Sequence, residues 1–87
     1  MEKYKITFKK SVAKDLRAFP KADIKKILAK IDSLAENPRR EGAIKLSGQD
    51  LYRIRQGLYR IIYQIKDNEL VVQVIKVGHR AEVYKRS

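Results

Sequence analysis

The sequence predicts an α+β domain, with two N-terminal helices packed on one face of a small antiparallel β-sheet. Three observations predict it. A helical stripe of apolar residues occupies the first half, period-two alternation occupies the second, and helical spacing does not return after Pro38. The 87 residues read as one domain, 1–87, with no repeat, low-complexity tract or Gly/Pro-rich linker to divide them.

The elements follow in order. Tyr4-Lys5-Ile6-Thr7-Phe8 alternates and reads as a short strand. Ser11 offers an N-cap for a first helix carrying Val12, Leu16 and Phe19 at i, i+4, i+7, and Pro20 interrupts that helix. In the second helix Ile24, Ile27, Leu28, Ile31, Leu34 and Ala35 draw a continuous stripe. Asp23 lies in its first turn, where the helix dipole favours an acid, and Asn37-Pro38 ends it. Residues 43–47 form a brief strand. Residues 51–55 and 58–66 form strands joined by a turn at Gln56-Gly57, where glycine can take positive φ. Asp67-Asn68 turns the chain again into a β-branched final strand, 70–77, which Gly78 breaks before a polar tail.

Composition narrows the function. Lys and Arg number 21 against 10 Asp and Glu, a formal net charge of +11, which points to a polyanion and to nucleic acid first. The absence of cysteine excludes disulfides, thiol nucleophiles and Cys-ligated zinc, and a single histidine argues against a transition-metal centre. Neither a metal nor a cofactor is expected. No apolar run approaches the ~18 residues of a membrane span, and Met1-Glu2-Lys3-Tyr4-Lys5 has no signal-peptide character. A cytoplasmic protein without membrane attachment is expected.

The sheet face turned away from the helices is the place to look for a site. Residues 51–66 contain three arginines, one lysine and no acid. Arg53 and Arg55 are two apart and leave their strand on one side, while Tyr52 and Ile54 point toward the helices. On the next strand Arg60 shares a side with Ile62 and Gln64, and the hairpin brings Arg55 and Arg60 together. Guanidinium groups so clustered repel one another unless an anion lies between them, and their fork of donors matches phosphate. The following segment, Val77-Gly78-His79-Arg80-Ala81-Glu82-Val83-Tyr84, adds an imidazole, a guanidinium and a phenol. His79 is the one side chain of a type that ordinarily titrates near neutrality. Arg39-Arg40, after Pro38, offers general electrostatic contact.

On these residues the chain resembles the RelE branch of the RelE/ParE superfamily of type II toxin–antitoxin toxins. The resemblance runs through Lys14-Asp15-Leu16, Asn37-Pro38-Arg39, Lys45-Leu46-Ser47-Gly48, Tyr59-Arg60-Ile61-Ile62-Tyr63 and Val77-Gly78-His79-Arg80 on to Glu82-Val83-Tyr84. It implies a βααβββ(β) fold and a ribosome-dependent endoribonuclease that cuts mRNA in the decoding site, held inactive by a cognate antitoxin. It also implies catalytic roles for Arg60, Arg80 and Tyr84, with Arg55 beside them; His79 joins these catalytic candidates on its residue type alone. Arg53, Arg55, Lys45 and Arg39 are the implied substrate contacts. The family's strand lysines are here Arg53 and Arg55, and arginine keeps its proton where lysine can release one. Two alternatives stand beside this reading: a ParE-like inhibitor of DNA gyrase and a non-catalytic nucleic-acid-binding module.

Overall fold

A computed structural model describes residues 3–46 and 50–79. The elements are β1 (Lys5–Phe8), α1 (Lys10–Arg17), α2 (Lys21–Ser33), β2 (Ile44–Lys45), β3 (Leu51–Gln56), β4 (Tyr59–Lys66), a 3-10 turn at Asp67–Glu69, and β5 (Val71–His79). The strands form one sheet in the order β1-β5-β4-β3-β2.

β2 to β5 pair antiparallel, but β1 runs parallel to β5, with Lys5 beside Val71 and Phe8 beside Val74. The sheet is therefore mixed rather than wholly antiparallel as expected. The cause is topological. The helix pair returns the chain at the far edge as β2, antiparallel to β1, and three further reversals bring β5 back in β1's direction.

α1 starts at Lys10, one residue before the expected cap. Lys9 is the extended residue ahead of it, at φ −68° and ψ 151°, and no side chain caps the helix. Ser11 thus lies inside the first turn. Pro20 precedes α2 at φ −60° and ψ 147°, a φ its ring imposes without cost. Val12, Ile27, Ile31 and Leu34 then close over Tyr52, Ile54, Ile61, Tyr63, Ile65, Val72, Val74 and Val77 to form the core. Each such side chain contributes about 1.5–3 kcal/mol when taken from water. Leu28, assigned to the same stripe, is instead 38% exposed.

The β3–β4 hairpin fixes which residues share a face. Gln56 pairs with Tyr59, so the loop is Gly57-Leu58, one residue later than the alternation suggests. Gly57 takes φ 61° at the first central position, the pattern of a II′ turn. Leu58 continues the apolar rhythm of the strand in sequence, yet at the hairpin tip it is 60% exposed. β5 passes through Gly78 to His79, so this glycine does not end the strand. A bulge interrupts β5 where partners step from Lys76 opposite Ile62 to Val74 opposite Tyr63, leaving Ile75 as the extra residue. The bulge lets Val74 and Val77, three apart, both reach the core.

Candidate functional site

With Tyr52, Ile54, Ile61, Tyr63 and Ile65 committed to the helices, alternation turns Arg53, Arg55, Arg60, Ile62 and Gln64 to the opposite face. Arg55 stands directly across from Arg60, and Arg53 across from Ile62. Since Gln56 and Tyr59 form the hydrogen-bonded pair next to the loop, Arg55 and Arg60 form a non-hydrogen-bonded pair, the closer kind, with Cα atoms about 4.5 Å apart. Like charges in that position are destabilising. On its other side Arg60 pairs with Gly78 of β5. Arg60 is only 2% exposed, and it is the one charged side chain among the buried residues described. Arg53 is half-buried and Arg55 exposed, and neither forms an ion pair with a described residue. The face can therefore grip an anion with fixed positive charge, and phosphate geometry suits it.

Three expected members lie elsewhere. His79 pairs with Tyr59, which puts it on the helix side of the sheet. Its ring meets the Tyr59 ring edge-on at 5.6 Å, while Tyr59 packs on Phe19 at 4.6 Å and donates its hydroxyl to Asp23 Oδ2 at 2.7 Å. That hydrogen bond to Asp23, with burial, raises the Tyr59 phenol above its ordinary pKa. Because β5 continues through Gly78, the register rather than the glycine decides the side His79 takes. Lys45 pairs with Tyr52, so it too sits on the side opposite Arg53.

Arg39 is already occupied. Its guanidinium donates to both oxygens of Asp67, at 3.2 and 2.8 Å, and its Nε–H donates to the Tyr52 hydroxyl at 3.0 Å. It also lies over the Tyr52 ring, 5.5 Å from the centroid. Tyr4 donates to the same Asp67 at 2.7 Å. Arg39 thus fastens the loop after α2 to the turn before β5. Arg80 and Tyr84, with Ser47 of the expected short strand, lie outside the described residues.

One cation escaped the sequence reading. Lys30 of α2, grouped with the hydrated helix face, lines a cleft of about 350 Å³ together with Arg53 and Arg55. No signal in the linear sequence connects it to them. Among the described residues no group of three or more His, Cys, Asp or Glu could hold a metal ion. No helix among them is long and apolar enough to cross a membrane.

Comparison with known proteins agrees with this geometry. Residues 6–84 match the family model described as the ParE toxin of type II toxin–antitoxin systems, parDE. The mRNA interferase toxin RelE of Escherichia coli K12 is 36% identical, over 97% of this chain and 93% of its own. The archaeal RelE–RelB complex from Pyrococcus horikoshii OT3 superposes with a TM-score of 0.75 at 32% identity, covering 88% of this chain and 94% of that one. The intact RelBE toxin–antitoxin complex of Escherichia coli superposes at 0.78 with 29% identity, covering 87% and 95%. An α+β sheet with two helices on one side, an acid-free arginine hairpin on the other, and a match that spans nearly the whole chain lead to one assignment: this is a RelE-type member of the ParE toxin family of type II toxin–antitoxin systems.

Proposed function

We propose that the protein is an endoribonuclease that cuts mRNA on the ribosome and is neutralised by a cognate antitoxin. The observation that carries this reading is the Arg55–Arg60 cross-strand pair with Arg53 beside it, on a stretch without acids. Three guanidinium groups on one face present fixed donors suited to phosphate, and the relative named mRNA interferase supplies the class of anion. The relatives crystallised with RelB supply the class of inhibitor.

The chemistry needs no group the chain lacks. The 2′-oxygen of the RNA attacks the adjacent phosphorus, the P–O5′ bond breaks, the 2′-hydroxyl loses its proton and the 5′-oxygen gains one. The products are a 2′,3′-cyclic phosphate and a 5′-hydroxyl. Arg60, joined by Arg80, stabilises the charge that builds on the phosphorane oxygens. Arg53 and Arg55 hold the flanking backbone. A guanidinium contributes charge and position rather than proton transfer. With the imidazole of His79 turned to the helix side, proton transfer falls to Tyr84 and the reacting RNA itself. A phenol with an ordinary pKa of ~10 serves as a base only if neighbouring guanidinium groups lower it. Arg60 is nearly inaccessible in the free chain, so its surroundings must shift before a phosphate reaches it.

Primer extension and end-group analysis on mRNA bound to programmed ribosomes test the reading. Wild type is expected to leave 5′-hydroxyl and cyclic phosphate ends; 3′-hydroxyl ends would contradict the pathway. Arg60→Ala is expected to lower the cleavage rate by about 10²–10³ while ribosome association is kept. A near-wild-type rate would remove Arg60 from the site. The family model also bears the ParE name, which keeps gyrase inhibition as a second reading. Loss of supercoiling activity with mRNA left intact would decide for it.

A further inference from the structure

The cleft at the open edge of β3 is a second feature built from cations, of which the catalytic scheme above uses the two arginines and leaves Lys30 without a role. β2 is two residues long and pairs only with Tyr52 and Arg53, so the ladder on this edge stops before Arg55. The Leu46 N–H donates to the Leu51 carbonyl at 2.8 Å, so Leu51 presents its main chain to this edge. By alternation Arg53 and Arg55 do the same. The main-chain N–H of Arg55 therefore faces the edge beyond the point where β2 ends.

Three cations line the cleft, Arg53 and Arg55 from β3 and Lys30 from α2, against one acid, Glu41. Lys30 is half-buried, the state in which a lysine stem is sheltered while its ammonium stays in water. Ile44, 49% exposed, forms an apolar wall beside this charge. At about 350 Å³ the cleft lies at the small end of ligand sites, which run from roughly 300 to 1,000 Å³. Charge, amide and apolar wall together match one nucleotide: phosphate on the cations, sugar or base against Ile44. The edge left free, residues 54–56, is too short for an added peptide strand, since strands usually run to about five or six residues.

We propose that this cleft is a second phosphate subsite, which holds the RNA backbone at the nucleotide next to the scissile linkage, with Lys30 as the cation supplied by the helix layer. The proposal rests on the endoribonuclease reading. Arg55 belongs to both places, since it opposes Arg60 across the hairpin and lines the cleft. A strand whose scissile phosphate lies at Arg60 is thereby led past Arg55 toward Lys30.

Single-turnover cleavage on programmed ribosomes tests it, using mRNAs that carry one uncharged methylphosphonate at each position flanking the cut. With wild type, one flanking position is expected to raise the half-saturating concentration roughly five- to tenfold, with the rate at saturation unchanged. With Lys30→Gln the all-phosphate RNA shows the same weakening, and the methylphosphonate adds nothing to it. Lys25→Gln, on the same helix but outside the cleft, keeps the wild-type response. Independent, additive losses in Lys30→Gln, or no sensitive flanking position, would overturn the subsite. If the wild type cuts nothing, the endoribonuclease reading fails instead, and binding decides the cleft. Lys30→Gln is expected to reduce the slope of log affinity against log salt for single-stranded RNA by about 0.7, the value for one phosphate contact. An unchanged slope overturns the proposal. So does an RNA affinity that is kept while affinity for an acidic protein partner falls, which assigns the cleft to that partner.

Discussion

Asp67 shows how one carboxylate can organise distant parts of a small chain. It accepts from Tyr4 and, in bidentate fashion, from Arg39, and this guanidinium first and the phenol second hold its pKa down at about 2. Its unfolded value is ~3.9, so the folded state binds the proton less readily. The resulting stabilisation is fully present above pH ~4 and disappears as pH falls through about 2. Asp67→Asn is expected to lower the melting temperature at neutral pH, with the gap to wild type closing between pH ~4 and ~2. Thermal melts across that range check it; a gap of constant size down to pH ~2 would contradict it. None of this was legible in the sequence. Arg39 sits beside Arg40 and reads as a free cation, because its acid partner is 28 positions away. Tyr63 was easier to read, since alternation assigns it to the core, where burial pushes its phenol up to about 12. Its hydroxyl donates to the Pro38 carbonyl at 2.6 Å, satisfying a polar group that would otherwise be buried alone.

Among the elements, the hairpin bears most directly on the site, because its register sets Arg55 against Arg60. Gly57 permits that register through its φ of 61°, and a Cβ added there meets no atom within 4 Å. Backbone strain is then the whole cost of a side chain. Gly57→Ala is expected to destabilise by about 1–2 kcal/mol in urea unfolding, and Gly57→Asn by less, because asparagine tolerates this conformation. Equal losses would point to a lost contact instead. Elements with a local rhythm were legible: α2 from its stripe, β3 and β4 from alternation, and with them the shared face of Arg53, Arg55 and Arg60. Features set by pairing partners were not. The parallel union of β1 with β5, the side taken by His79 and the side taken by Lys45 all depend on register between segments distant in the chain. Gly78 misled for a related reason. It continues the strand opposite Arg60, and a linear reading sees only a breaker.

At the scale of the whole molecule, a net charge of +11 makes association with any polyanion sensitive to salt, and the proposed RNA substrate is one. If Arg53, Arg55, Arg60 and Lys30 each neutralise one phosphate of a single strand, raising salt from about 50 to 200 mM weakens binding roughly fiftyfold. A salt titration by fluorescence anisotropy measures it. A flat response would mean that the cations serve solubility instead. The order of the strands carries a consequence of another kind. β5 is flanked by β1 and β4, although it is the last strand among the described residues. Synthesis from the amino end therefore leaves β1 waiting until nearly everything else has been made. A polypeptide halted before that point has no middle to its sheet, and the slow closure of so long a loop delays the finished chain as well. For a toxin, assembly deferred to the end of translation means that a chain halted early lacks the strand that joins β1 to the arginine hairpin.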